Sequence, residues 1–259
     1  MEGGRFIMNT NIIVYHTAGC GVLIKIGRKA VGVDAFSKDP DGLYPDTPPQ
    51  VKAELFAGIE KGGIGTLLFT HAHGDHFCPE DTAEALGRNP ELMIISTEEV
   101  IGKLRGMAPD RGRMYEVSPE EKGNVKIWFP GGCAELFNST HMGEVYAGVQ
   151  NLTAMVEMEG KRMVFLGDAW PREELFARIG AWEQTPDVLI APFPVIGLPS
   201  SRRLLVKHLK PAQILALHLP KPERDSQNWL ASAKKVCESA KDGLPMPWFG
   251  EKPGKMYCL

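Results

Sequence analysis

The sequence predicts an α/β protein, a single layered domain over residues 1–259 with sheets inside and helices outside. Three observations predict it. Strand-like segments open the chain, strand and helix signals then spread through both halves, and no long linker, low-complexity run or repeat separates them. With 259 residues and 43% hydrophobic content, the chain is long enough to bury a full core.

In order, Asn11 to His16, Val22 to Ile26 and Ala30 to Asp34 read as hairpin-connected strands, split by Gly19, Gly21 and Gly27. A loop rich in proline (Pro40, Pro45, Pro48, Pro49) leads to a helix over Val51 to Glu60. Val51, Leu55 and Ile59 share one face of it, and Gly62-Gly63 closes it. Ile64 to Phe69 reads as a buried strand that runs straight into a histidine cluster. Next come a helix near Pro79 to Gly87, a strand at Leu92 to Ser96 and a string of β segments from Val125 to Phe165. Glu159-Gly160 is a hairpin turn between Leu152 to Met158 and Arg162 to Phe165. The last third is β-α in character: strand Val188 to Ala191, helix around Ser201 to Leu209, strand Gln213 to Leu217 and helix Trp229 to Ala240.

Bulk properties narrow the function. With 29 basic against 32 acidic residues the net charge is −3, which offers no field for nucleic acid or an anionic membrane. A small-molecule substrate is the expected partner, and a homo-oligomer stays open. The five cysteines (Cys20, Cys78, Cys133, Cys237, Cys258) are odd in number and scattered, with no C-x-x-C pair. This argues against a disulfide framework and against a cysteine-built zinc site. The opening residues Met1 to Met8 lack the apolar run of a signal peptide, and no stretch approaches the roughly 18 apolar residues of a membrane span. The expected location is the cytoplasm.

The strongest chemical signal is Thr70-His71-Ala72-His73-Gly74-Asp75-His76, three imidazoles and a carboxylate within six residues. Residues two apart in an extended segment share a face, so His71 and His73 can point at one metal ion. Gly74 then lets the backbone turn sharply and aims Asp75 and His76 at a second ion. Two ions need further ligands, expected where later strands end. His141, Asp168 and His218 all stand at such ends.

The order His71-x-His73-x-Asp75-His76, His141, Asp168, His218 resembles the metallo-β-lactamase superfamily, from about Asn11 to Pro220. The resemblance implies a four-layer αββα sandwich. It also implies that His71, His73 and His141 hold a first ion, that Asp75, His76 and His218 hold a second, and that Asp168 bridges them. Asp168 stands where the antibiotic-hydrolysing members usually place a cysteine, so a β-lactam substrate is not expected. The continuation Phe77-Cys78-Pro79 differs from the glycine-containing form usual in tRNA-processing nucleases and homoserine-lactone hydrolases. Tyr15-His16-Thr17-Ala18-Gly19, Val33-Asp34-Ala35-Phe36 and Lys210-Pro211-Ala212-Gln213 are similar to the UlaG-like branch, which includes ascorbate-6-phosphate lactonase. Asp34-Ala35 departs from that branch's usual Asp-Pro.

The expected function is hydrolysis of a small ester, lactone or phosphoester by hydroxide bridging two divalent ions, whose acidity exceeds that of bulk water. Mixed imidazole and carboxylate ligands suit zinc first, then manganese or iron. Asp75 would serve both as ligand and as the catalytic carboxylate that receives and passes on a proton. The alternatives are a silent metal-binding or scaffold protein and a redox di-iron protein of the same fold. Asp34 reads either as a partner that fixes a ligating imidazole or as a turn aspartate. His16 reads as pocket-lining or structural, His208 as surface, and Cys78 as a small buried thiol at a helix start. Arg202 and Arg203 read as phosphate contacts or as a solvated pair.

Overall fold

Alternating apolar residues near the start of the chain build an antiparallel meander of β1 (Ile12–His16), β2 (Val22–Ile26) and β3 (Lys29–Val33). The computed structural model describes residues 11–109, 112–120, 123–181 and 184–259. The opening segment read for an export signal lies outside them.

After the meander, helices and strands alternate: α1 (Pro49–Glu60), β4 (Thr66–Leu68), α2 (Pro79–Arg88), β5 (Met93–Ser96), α3 (Glu98–Arg105) and β6 (Met114–Glu116). Here β3 to β6 pair in parallel, since each return requires a crossover. The second half repeats this plan. A meander of β7 (Asn124–Phe129), β8 (Gly132–Thr140), β9 (Gln150–Met158) and β10 (Lys161–Phe165) is followed by a helix-linked parallel part. That part comprises α4 (Glu173–Gly180), β11 (Val188–Pro192), α5 (Phe193–Gly197), α6 (Pro199–Leu204), β12 (Gln213–Leu217), α7 (Trp229–Ser239) and β13 (Trp248–Phe249). Finally β14 (Met256–Cys258) returns to pair antiparallel with β1.

Among the described residues the strands form two seven-stranded sheets, ordered β14-β1-β2-β3-β4-β5-β6 and β13-β12-β11-β10-β9-β8-β7. Side chains of both sheets, such as Ile24 and Val33 from one and Leu136 and Val156 from the other, fuse into a central core. A second core lies between the first sheet and α1, α2 and α3, and a third between the second sheet and α4 to α7. Helix, sheet, sheet, helix is the αββα sandwich that the resemblance implies. Each fully buried Ile or Leu in these cores stabilises the fold by roughly 1.5–3 kcal/mol.

The local reasons are visible in the elements. Val51, Leu55, Phe56 and Ile59 form the buried stripe of α1, with Pro49 in its first turn. Thr97 caps α3, its side chain accepting from the amide of Val100, with Glu98 and Glu99 in the first turn and Lys103 and Arg105 in the last. The predicted helix over Ser201 to Leu209 is α6 followed by a π-helical turn at Leu205–Leu209. Elements beyond the sequence reading are α3, α4, α5, β6, β13 and β14. All are short, so their periodicity spans too few residues to register. No described helix is long and apolar enough to cross a membrane.

Topology also positions chemistry. Asp34, the segment Thr70 to His76, His141, Asp168 and His218 follow the C-terminal ends of β3, β4, β8, β10 and β12. Because β8, β10 and β12 run in one direction, their ends meet along one edge, and the ends of β3 and β4 face them there.

Candidate metal centre

The histidine segment leaves β4 and turns where the amides of His76 and Phe77 both donate to the carbonyl of His73, at 3.0 and 2.8 Å. Gly74 lies in this sharp turn, as expected. Its backbone is outside the positive-φ region. A side chain there would place Cβ 2.6 Å from the Lys38 carbonyl oxygen and 2.7 Å from Pro40 Cδ. Glycine there therefore also allows close approach between two loops.

Two donor groupings result, with Asp168 joining His71 and His76 in a third that overlaps both. His71, His73 and His141 offer three imidazole nitrogens within 4.8 Å of one another, and His71 Nε2 and His73 Nδ1 stand 3.1 Å apart. Asp75, His76 and His218 form a second grouping on the same criterion, joined by Cys20. Asp168 lies between. Its Oδ1 is 3.2 Å from His76 Nε2, and its Oδ2 is 3.4 Å from both His141 Nε2 and His218 Nε2. The seven residues singled out in the sequence are thus brought together from both sheets.

Outer hydrogen bonds orient the imidazoles. Asp34 accepts from the Thr70 amide and the Thr70 hydroxyl, both at 2.7 Å, and from His76 Nδ1 at 2.8 Å. With its Nδ1 proton engaged, His76 presents Nε2 to the centre. His71 Nδ1 donates to the Thr70 hydroxyl at 3.1 Å, and His141 Nδ1 donates to the Met142 carbonyl at 2.7 Å. Of the two readings of Asp34, the structure favours a partner that fixes an imidazole, that of His76. Asp34 and His218 both adopt positive φ, 49° and 60°. Such left-handed backbone costs a non-glycine residue roughly 1–2 kcal/mol, offset by the contacts around it.

Burial and neighbouring charges divide the imidazoles. Burial, reinforced by His76, holds His71 well below the usual histidine range, and burial with His141 lowers His73. For His76 and His218 burial also acts against the charged form. Cys20, Asp168 and Asp75 outweigh it and hold both well above the usual range. Reciprocally, burial would raise Asp75 and Asp168, but His76 and His218 keep both below the usual carboxylate range.

The residues fit a metal ion. His76 Nε2, His141 Nε2 and Asp168 Oδ1 are buried without a hydrogen-bond partner. The two imidazole nitrogens face the Asp168 carboxylate at 3.2 and 3.4 Å, so a cation held among them would find donors from all three residues. Imidazole and carboxylate donors in this mixture match divalent transition metals.

Residues outside the clusters resolve as follows. His16 is buried at the end of β1 and belongs to none of the metal-suited groupings. Cys78 is buried beside Glu80, and desolvation pushes its thiol up to about 12, so it is an inert thiol. His208 is half-buried and not freely exposed, its Nε2 2.6 Å from a Glu173 carboxylate oxygen. Arg202 is neither a phosphate contact nor solvated. It is buried and bidentate to Asp242 at 2.6 and 2.9 Å, while Arg203 is exposed. Sequence reasoning passed over Cys20, Tyr44 and Tyr146. Tyr44 packs on His218 with ring centroids 3.9 Å apart, and Tyr146 packs on His73 and His141 at 5.2 and 5.0 Å. The Gly19-Cys20-Gly21 sandwich directly after β1 was the available signal for Cys20.

No protein-family model matches the chain, and no curated protein matches it. Solved structures do. The metallo-β-lactamase fold protein YhfI from Bacillus subtilis superposes with a TM-score of 0.62 at 14% identity, over 96% of this chain and 99% of that one. Igni18, a metallo hydrolase from Ignicoccus hospitalis, gives 0.63 at 18% identity, over 96% and 99%. CmlA, a diiron β-hydroxylase from Streptomyces venezuelae, gives 0.63 at 11% identity, over 96% of this chain and 54% of that one. The chain has the metallo-β-lactamase fold.

Proposed function

We propose that the chain is a metal-dependent hydrolase of the UlaG-like kind, holding two divalent ions and cleaving a small ester, lactone or phosphoester. The observation that carries this reading is the position of Asp168, one carboxylate within 3.4 Å of imidazoles from both donor groupings. His71, His73 and His141 would hold one ion, Asp75, His76 and His218 the other, and Asp168 would reach both. When bound, such ions supply an acidified water and Lewis-acid stabilisation of developing oxyanions.

The chain's own groups do the rest. Asp34 and Thr70 lock His76 and His71 in the tautomer that presents Nε2 inward. Asp75, kept ionised by His76 and His218, accepts the proton of the attacking water and passes it to the leaving oxygen. Tyr44 stays a neutral hydrogen-bond donor beside His218, because desolvation pushes its phenol up to about 12.

Metal analysis of the loaded protein, followed by a panel of phosphodiesters, sugar-phosphate lactones, thioesters and β-lactams, tests the proposal. Two ions per chain and metal-dependent turnover of an ester, lactone or phosphoester are expected. Fewer than one tightly bound ion per chain would sink the dinuclear reading. Full metal loading with no turnover on any panel member would favour a silent metal-binding protein, and oxygen consumption by the iron-loaded chain would favour the redox di-iron alternative.

A further inference from the structure

We infer that Cys20 is a further ligand of the second ion, adding a thiolate beside Asp75, His76, His218 and the shared Asp168 and favouring a thiophilic divalent cation such as zinc. The inference rests on the proposal that this grouping holds metal, and it assigns a residue that the histidine and aspartate pattern does not contain.

Geometry carries it first. The Cys20 Sγ, a carboxylate oxygen of Asp75 and one nitrogen each of His76 and His218 all lie within 4.8 Å of one another. In a zinc centre with Zn–S of about 2.3 Å and Zn–N of about 2.0 Å, neighbouring donor atoms stand roughly 3 to 3.5 Å apart. The set needs to contract by about one to two ångströms. Cys20 also lines, with Asp34, His76, Asp168 and His218, a small cavity of about 20 Å³ whose remaining wall is largely apolar, Phe165 and Leu217 among it. His76 Nε2 is buried beside it, 3.2 Å from Asp168 Oδ1.

The loop that presents Cys20 is tied to the other ligands. The His218 amide donates to the Gly19 carbonyl at 3.0 Å, and the Gly19 amide donates to the Pro45 carbonyl at 2.9 Å. Gly21 presses so closely on Asp34 that a Cβ there would lie 2.3 Å from the Asp34 carbonyl oxygen. Cys20 is therefore held between the backbone of one ligand, His218, and the residue that orients another, His76. On binding, the S–H bond breaks, a sulfur–metal bond forms and the proton leaves to solvent. A thiolate in the set favours zinc over manganese or magnesium, which prefer oxygen donors.

The test is cobalt(II) substitution of the full chain, read by absorption and by metal content, in the native protein and in Cys20→Ser. A thiolate-to-cobalt charge-transfer band in the near ultraviolet is expected in the native protein and absent in C20S. Zinc competition should show the second-site affinity of C20S weakened by at least about tenfold, a loss comparable to that of an imidazole's supporting partner. As a reading independent of the variant, zinc should protect Cys20 of the native protein, but not the exposed Cys258, from iodoacetamide, followed by peptide mass. Two bound ions with no such band and no protection overturn the Cys20 assignment while leaving the dinuclear reading standing. One ion with a band that C20S abolishes supports Cys20 and overturns the dinuclear reading. No bound ion and no band overturns both.

Discussion

His71, His73 and His141 present nitrogen donors alone, and burial keeps His71 and His73 in the neutral form that a metal ion requires. Asp75, His76 and His218 lie a few ångströms away in the same fold edge, yet there carboxylates and imidazoles hold one another in their charged forms. The contrast teaches that burial alone does not set an imidazole's state: His71 and His76 are both fully buried, yet neighbouring imidazoles add to the lowering at His71, whereas Cys20, Asp168 and Asp75 outweigh burial at His76. On the proposed dinuclear reading, the first half would take up a cation without losing protons, whereas the second would release them as an ion replaced the ion pairs.

Asp168 is the link between the halves, so its removal is the largest expected effect. Asp168→Ala is expected to lower kcat/KM by at least about a hundredfold and to loosen both ions, measured by kinetics and metal analysis. Unchanged activity would refute the linking role. Next, His71→Ala and His76→Ala are each expected to reduce bound metal from two ions to one. If instead either variant lost both ions, the halves would be a single cooperative unit and the comparison would need redrawing.

Asp34 sharpens the contrast, because its carboxylate touches the second half directly through His76. Asp34→Ala is expected to weaken the second ion by roughly 10- to 100-fold while the first is retained. It also orphans the buried Thr70 amide, at a cost of about 1–3 kcal/mol in a denaturant titration.

The smallest effect is a titration of the metal-free chain by NMR. His76 and His218 are expected to titrate above the ordinary histidine value of about 6.5, and His71 and His73 below it. The linkage signs follow. The raised pair contributes stability that is full below about pH 6.5 and lost as pH rises through the folded values. Asp75 and Asp168 contribute stability above about pH 3.9 that is lost as pH falls through their depressed values. His71 and His73 oppose this, destabilising the fold as pH drops below about 6.5, where the unfolded rings take protons first. Zinc added near neutral pH should release protons, detectable in weakly buffered solution. No release would erase the proposed difference between the halves.

Much of this was legible in the sequence. The histidine motif announced itself because its donors are adjacent in the chain; Asp168 and His218 were found because each follows an apolar run that reads as a strand, and His141 because it follows Asn138-Ser139-Thr140 where a β segment ends. The longer elements were read for the same reason, among them α1 with its buried stripe and β9 with its nine residues. The rest lacked a local signature. Strands of two or three residues such as β13 and β14 exist only through their partners. Arg202, read as a phosphate contact or a solvated residue, is instead held by Asp242, 40 positions further on.

By itself the sequence determined the α/β class, the order of the main elements and seven candidate ligands, since hydrophobic period and donor spacing are properties of neighbouring residues. Only the tertiary structure decided which donors share a grouping, that Asp34 orients His76, that Gly74 serves close packing and that Cys20 joins the second half. Those facts depend on distances between segments up to 198 residues apart, such as Cys20 and His218. Such distances are set by the packing of two sheets edge to edge and face to face, which no local pattern encodes.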